Sequence, residues 1–279
     1  MSLMLKFLAT LLLLSSTTFA ATDAQIVKFL KDGIGKNPNI ISLDIKILDK
    51  QKVKEPSGWD AYIVMLSGKA KVNGKEQAIS QSSVYFASGN TITPELINIK
   101  TGQRLNNTIS PNFSSAYYKK ENLISGSSAS KHKVAIFSDP LCPFCKRYVP
   151  DAIAYMKKYP ETFAVYYYHF PLPTLHPAAV ALTKAAIVAE QQGRKNITLG
   201  MYTISIDPRE HDENKIVAAF NKTLNTNVKV SDLHSKKTMQ HYNSDQNIAR
   251  MLMVNGTPTV FFDGKKDPNK QAYKAVKVK

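Results

Sequence analysis

Cys142 and Cys145 are the only cysteines in 279 residues, and only Pro143 and Phe144 separate them. No other thiol exists with which to build a disulfide framework. The pair must act on itself, on a partner protein or on a metal. Val134-Ala135-Ile136-Phe137 reads as a compact strand just upstream. Pro143 suits the first turn of a helix, where its missing N–H costs nothing. The chain is therefore expected to pass from strand to helix at the first sulfur. A helix N-terminus offers unpaired N–H groups and a partial positive charge, which stabilise a thiolate. The thiolate is the attacking species in thiol–disulfide exchange. Cys145, one turn on, is placed to resolve the mixed disulfide. Zinc needs three or four protein ligands, and the six histidines are scattered with none at finger spacing from the cysteines. A purely structural disulfide would close too small a loop to stabilise much.

The N-terminus bears on where such chemistry happens. Residues 1–20 carry Lys6, an apolar run from Phe7 to Leu14 and a tail of small residues ending at Ala20. This reads as a secretory signal peptide cleaved after Ala20, since the apolar run is too short to span a bilayer comfortably. The expected mature chain is soluble, exported and in a compartment where disulfides persist. The net charge of +16 invites comparison with nucleic-acid binders, but the lysines are spread along the chain and no nucleic-acid motif is present. It reads as a basic surface. Four Asn-x-Ser/Thr sequons at Asn106, Asn112, Asn196 and Asn221 read as chance matches.

The rest of the chain reads as two halves and a connector. Residues 21–110 are expected to form a small α+β unit. Asp23 caps a first helix carrying Ile26, Phe29 and Leu30. Ile41, Leu43, Ile45 and Ile47 alternate with polar residues in a strand. Ala61–Leu66, Val84–Ala87 and Ile97–Lys100 are further strands, and Asn73-Gly74 is a hairpin turn. The unit holds no cysteine, histidine or cluster of catalytic residue types. Its core is thin, so pairing with a second copy would help it. Residues 111–131 are expected to form a linker, with a short helix over 112–123 and a flexible hinge at Ser125–Ser130. Residues 132–279 are expected to form an α/β unit in which strand, helix and the strand Phe163–Tyr168 make a parallel βαβ motif, with a kink at Pro150. A helical insertion over about 177–253 precedes Gly256-Thr257-Pro258-Thr259-Val260-Phe261-Phe262, a strand that ends in the turn Asp263-Gly264.

A strand leading into Cys-Pro-Phe-Cys, a helical block, and Gly-Thr-Pro-Thr-Val-Phe-Phe before an Asp-Gly turn together resemble the thioredoxin superfamily with a helical insertion. The segment Phe137-Ser138-Asp139-Pro140-Leu141-Cys142-Pro143-Phe144-Cys145 is similar to the active-site segment of the bacterial periplasmic DsbC/DsbG group, specifically of DsbG. The first unit and hinge resemble that group's cystatin-like dimerisation domain and linker. The resemblance implies that Cys142 is an exposed nucleophile and Cys145 a buried resolving thiol. It implies that Pro258 is cis, faces Cys142 and leaves neighbouring backbone free for an extended client, and that Thr257 tunes the sulfurs through its hydroxyl. Pro143 and Phe144, between the cysteines, set the redox poise; Phe144 cannot place an imidazolium near the thiolate as a histidine could. Asp139 either shapes the active-site turn or is an ordinary turn residue. The segment Tyr166–Pro177 looks closer to the DsbA-like branch. Its His169 and His176 would be structural, or else a proton relay.

These features imply a periplasmic, homodimeric disulfide isomerase or reductase acting on exported proteins, kept reduced by a DsbD-like membrane electron donor, with no metal or other cofactor. The alternatives are a DsbA-like oxidase served by a DsbB-like oxidant, a chaperone whose redox activity is secondary, and a reductase of sulfenic acids on single cysteines.

Overall fold

The computed structural model describes residues 21–278. The expected signal peptide lies outside the described residues. Two β-sheets organise the chain. In the first, helix α1 (Asp23–Ile34) packs on strands β1 (Ile40–Lys52), β2 (Asp60–Val72), β3 (Lys75–Ser88) and β4 (Thr91–Thr93), antiparallel in the order β1-β2-β3-β4. Thr22 starts α1 with a capping box: its hydroxyl accepts from the Gln25 N–H, and the Gln25 side chain accepts from the Thr22 N–H. Asn73 and Gly74 turn β2 into β3 with positive φ angles of 51° and 76°, the geometry a tight hairpin demands.

Alternation gives this sheet two apolar faces. Ile45, Tyr62, Val64 and Ala87 meet Ile26 and Leu30 of α1. Val53, Ala61, Ile63, Val84 and Phe86 lie together on another surface, covered by Trp59, Leu96, Leu105 and Ile109, and by Met253 from the far end of the chain. The strand expected at Ile97–Lys100 does not form. Ile97 makes one bridge to Arg104, and Ile99 is 96% exposed. With no partner strand beside it, the alternating apolar residues have nothing to pack on.

The second sheet has the order β5-β7-β6-β8-β9, built from β5 (Leu123–Ser125), β6 (His132–Ser138), β7 (Phe163–His169), β8 (Thr259–Phe262) and β9 (Lys265–Lys266). β6 and β7 are parallel, joined through α2 (Pro143–Lys157), while β8 runs antiparallel to β6. Between β7 and β8 lie α3 (Pro177–Gln191), α4 (Ile197–Gly200), α5 (Glu213–Leu224) and α6 (Lys236–Met251). Every residue of β7 is buried, because both faces of the sheet are covered. Val134, Ile136, Val165 and Tyr167 face α2 and α3. Ala135, Phe137, Ala164, Tyr166 and Tyr168 face α6 and Phe113. Helix α3 is buried nearly all round, as an Ala-rich helix in the middle of a core should be. Pro150 sits inside α2 without ending it.

The connector differs from expectation. Residues 112–123 hold two single 3₁₀ turns, Ser115–Tyr117 and Lys120–Asn122, in place of a linker helix. Ser125–Ser130 is not a free hinge. Ser125 pairs with Val165 in the sheet. Ser130 is buried, and its hydroxyl donates to Pro160 O at 2.7 Å and accepts from the Ser127 N–H at 2.9 Å. Gly126 adopts φ 74° with its α-carbon against the Phe163 carbonyl, where a Cβ would clash. The Ser/Gly composition that reads as flexibility here serves close backbone packing.

Candidate active site

The β6–β8 pairing assembles the site. β6 ends at Ser138 and its chain turns through Asp139 into α2; β8 starts at Thr259, paired with Phe137. The segments 139–145 and 256–258 therefore leave the sheet side by side. Cys142 is the N-cap of α2 and Pro143 its first residue. The Thr257–Pro258 peptide bond is cis. The Cys142 thiol approaches Thr257 O at 3.6 Å. The structure thus brings Cys142, Cys145, Thr257 and Pro258 into one place.

One placement differs from expectation. Cys142 is only 5% exposed, with Thr257 of the 256–258 loop in contact with its sulfur. Phe144 is the exposed member of the motif at 63%, with the Arg147 guanidinium 5.3 Å over its ring. Cys145 is fully buried.

The two cysteines are free thiols with opposite acidities. A hydrogen bond from the Cys145 side chain, helped by Thr257 and by the N–H groups of Cys145 and Phe144, outweighs burial and lowers the Cys142 thiol to about 5. The same interaction, together with burial, pushes the Cys145 thiol well up, against smaller opposing effects from Ser138, Thr257 and the Asp139 backbone. The arrangement is one thiolate held by a neighbouring thiol, at a helix N-terminus. Thr257 Oγ1 is buried and without a settled hydrogen-bond partner among the described residues, and its hydroxyl favours a thiolate at Cys142 beside it.

Asp139 shapes the turn. It is fully buried. Its Oδ1 accepts from the Leu141 N–H at 2.7 Å, and its Oδ2 accepts from the Leu172 N–H at 2.8 Å and contacts His176 Nδ1 at 2.9 Å. His176, the residue before α3, thereby ties that helix to the active-site turn. His169 lies apart from the sulfurs. Its backbone N–H donates to Asp245, and its ring sits 3.8 Å from Glu190. Burial raises the Asp245 carboxyl to about 7 and lowers His241 beside it to about 4. Among the described residues no group of three or more His, Cys, Asp or Glu is arranged to hold a metal ion.

The sequence reading missed a row of hydroxyls behind Cys145. Ser138 Oγ and Tyr202 Oη lie 2.7 Å apart, and Tyr202 Oη and Tyr167 Oη 2.8 Å. Ser138 stood inside the recognised motif but carried no sign of a role. Tyr202 is too far along the chain for spacing to reveal it.

A curated relative, the Na(+)/H(+) antiporter NhaA 1 of Mycolicibacterium gilvum, is 30% identical over 132 residues, covering 47% of this chain. The chain spans 21% of that antiporter's length. No helix among the described residues is long and apolar enough to cross a membrane. Solved structures with a similar arrangement include BdbD from Bacillus subtilis, with a TM-score of 0.48 at 15% identity over 60% of this chain and 92% of that one. The catalytic domain of ScsC from Proteus mirabilis gives 0.45 at 19% over 57% and 89%. A thioredoxin-like oxidoreductase from Silicibacter pomeroyi gives 0.45 at 19% over 57% and 92%. The thioredoxin family model matches residues 119–278, more than half of the sequence, and with the cysteine pair at the start of α2 beside a cis Thr257–Pro258 bond this chain belongs to the thioredoxin family.

Proposed function

We propose that this protein is an exported thiol–disulfide oxidoreductase of the DsbC/DsbG type, which rearranges or reduces disulfides in other exported proteins. One observation carries the reading: a thiol at a helix N-cap, a buried thiol one turn behind it, and a cis-proline loop within contact of the first sulfur. Cys142 attacks a client disulfide and forms a mixed disulfide. Cys145 resolves it, or a client thiol does so and leaves the client rearranged. Thr257 and Pro258 hold the client backbone against Cys142, and Pro143 and Phe144 set the poise of the pair. The α1–β4 unit would serve as a dimerisation domain, placing two such sites across a cleft in the periplasm, and a membrane electron donor would keep the pair reduced.

A second reading has its own support. A thiol lowered to about 5 is a good leaving group and stabilises the reduced form, which makes a dithiol couple oxidising. That favours an oxidase recharged by a membrane oxidant. A client with scrambled disulfides separates the two. An isomerase, supplied reduced and in catalytic amount, restores the client's activity, and Cys142→Ala abolishes this. Failure of the reduced protein to rearrange the client, with rapid disulfide transfer from the oxidised protein to a reduced client, would overturn isomerisation in favour of oxidation.

A further inference from the structure

The resolving step needs Cys145 as a thiolate in a fully buried place, and burial alone opposes that charge. The groups around its sulfur are the Cys142 thiol, the Thr257 side chain, the Asp139 backbone and the Ser138 side chain, with Tyr167 and Tyr202 behind them. The Asp139 carboxylate is engaged by Leu141, Leu172 and His176. Lys146 and Arg147 are exposed on α2. Neither a cation nor a carboxylate side chain stands among the groups around the Cys145 sulfur.

We propose that Ser138, Tyr202 and Tyr167 form a buried donor chain that stabilises the Cys145 thiolate during resolution. This rests on the thiol–disulfide reading above. Ser138, at the end of the row nearest Cys145, would be the group that donates to the reacting sulfur; the two tyrosines are positioning residues. All three are buried, and the links of 2.7 and 2.8 Å are good hydroxyl–hydroxyl distances. Each hydroxyl has one proton and can accept others. Once Cys145 becomes an acceptor, Ser138 donates to it, Tyr202 donates to Ser138 and Tyr167 donates to Tyr202. Donors aligned in this sense polarise one another and strengthen the terminal bond. Burial makes both phenols far weaker acids than an ordinary tyrosine, so they stay protonated and remain donors.

The step balances. In the mixed disulfide between Cys142 and a client, the Cys145 thiolate attacks the Cys142 sulfur. The Cys142–Cys145 bond forms, the bond from Cys142 to the client sulfur breaks, and the client leaves as a thiolate. The proton lost by Cys145 is matched by the proton the departing thiolate takes up. The two cysteine sulfurs are oxidised and the client disulfide is reduced.

A symmetrical aromatic disulfide whose released thiolate is coloured tests this on the full-length reduced protein. Attack by Cys142 releases a first equivalent, and attack by Cys145 releases a second. Loss of a hydrogen bond to a charged group predicts that Ser138→Ala slows the second release relative to the first by about tenfold and raises its pH midpoint by about one pH unit. Tyr202→Phe, which keeps the ring, should do the same to a smaller degree, and Ser138→Thr should restore the wild-type ratio. An unchanged ratio and midpoint in both Ser138→Ala and Tyr202→Phe would overturn the proposal, as would equal slowing of both releases with no change in midpoint. A wild-type protein that gives no second release would overturn the thiol–disulfide reading along with it.

Discussion

The acidity of Cys142 is borrowed from its surroundings. Its largest cause is the Cys145 side chain, ahead of Thr257 and the helix N–H groups. Cys145→Ala therefore raises the Cys142 midpoint from about 5 toward the ordinary thiol value near 8.5. The sign follows directly, since removing a donor to the thiolate disfavours the charged form. The pH dependence of alkylation at Cys142 checks this, and an unmoved midpoint would assign the acidity to Thr257 and the helix terminus. At this scale the sequence was most readable where chemistry-bearing residues are close together. The cysteine pair and Thr257-Pro258 stood out as motifs. Asp139 could be read two ways, because its partners Leu172 and His176 lie more than thirty positions away, at separations of 33 and 37. Ser138–Tyr202, with a separation of 64, had no sequence signature at all.

Among the elements, the parallel β6–α2–β7 unit, the hairpins and the helical block between β7 and β8 followed from periodicity and turn residues. The connector did not. Its Ser/Gly run looks flexible by composition, but it pairs with β7 and places Gly126 against backbone. Such close packing is a tertiary fact that local pattern does not encode. The same holds for the end of α6. Met253, with φ 55°, leaves the helix and packs against the core on the first sheet. Ser82 Oγ of that sheet donates to Arg250 O at 3.1 Å. Four residues later the chain reaches Thr257. The first sheet thus braces the base of the loop that contacts Cys142. Met253→Ala should lower unfolding stability by about 2 kcal/mol, the low end for trimming a methionine because the side chain is only partly buried. Urea unfolding measures it, and an unchanged midpoint and slope would show that the contact contributes nothing.

The molecule joins a redox-type site in the thioredoxin-family unit to an α+β unit that contributes no cysteine or histidine. The family match reaches from residue 119 to 278 and leaves the first sheet to be explained by physics alone. Its two apolar surfaces are both at least partly covered within one chain, so its proposed role in pairing must be met by its exposed residues, such as Phe29 and Ile41 at 59% and 46% exposure. The central claim remains that Cys142 and Cys145 work as one redox pair. Equilibrating the full-length protein against glutathione buffers of graded potential, quenching with acid and alkylating the free thiols tests it most directly. The account predicts that both thiols disappear together in a single two-electron transition, with no stable species modified at one cysteine. Independent titration of the two thiols, or a pair that never closes to a disulfide, would contradict it.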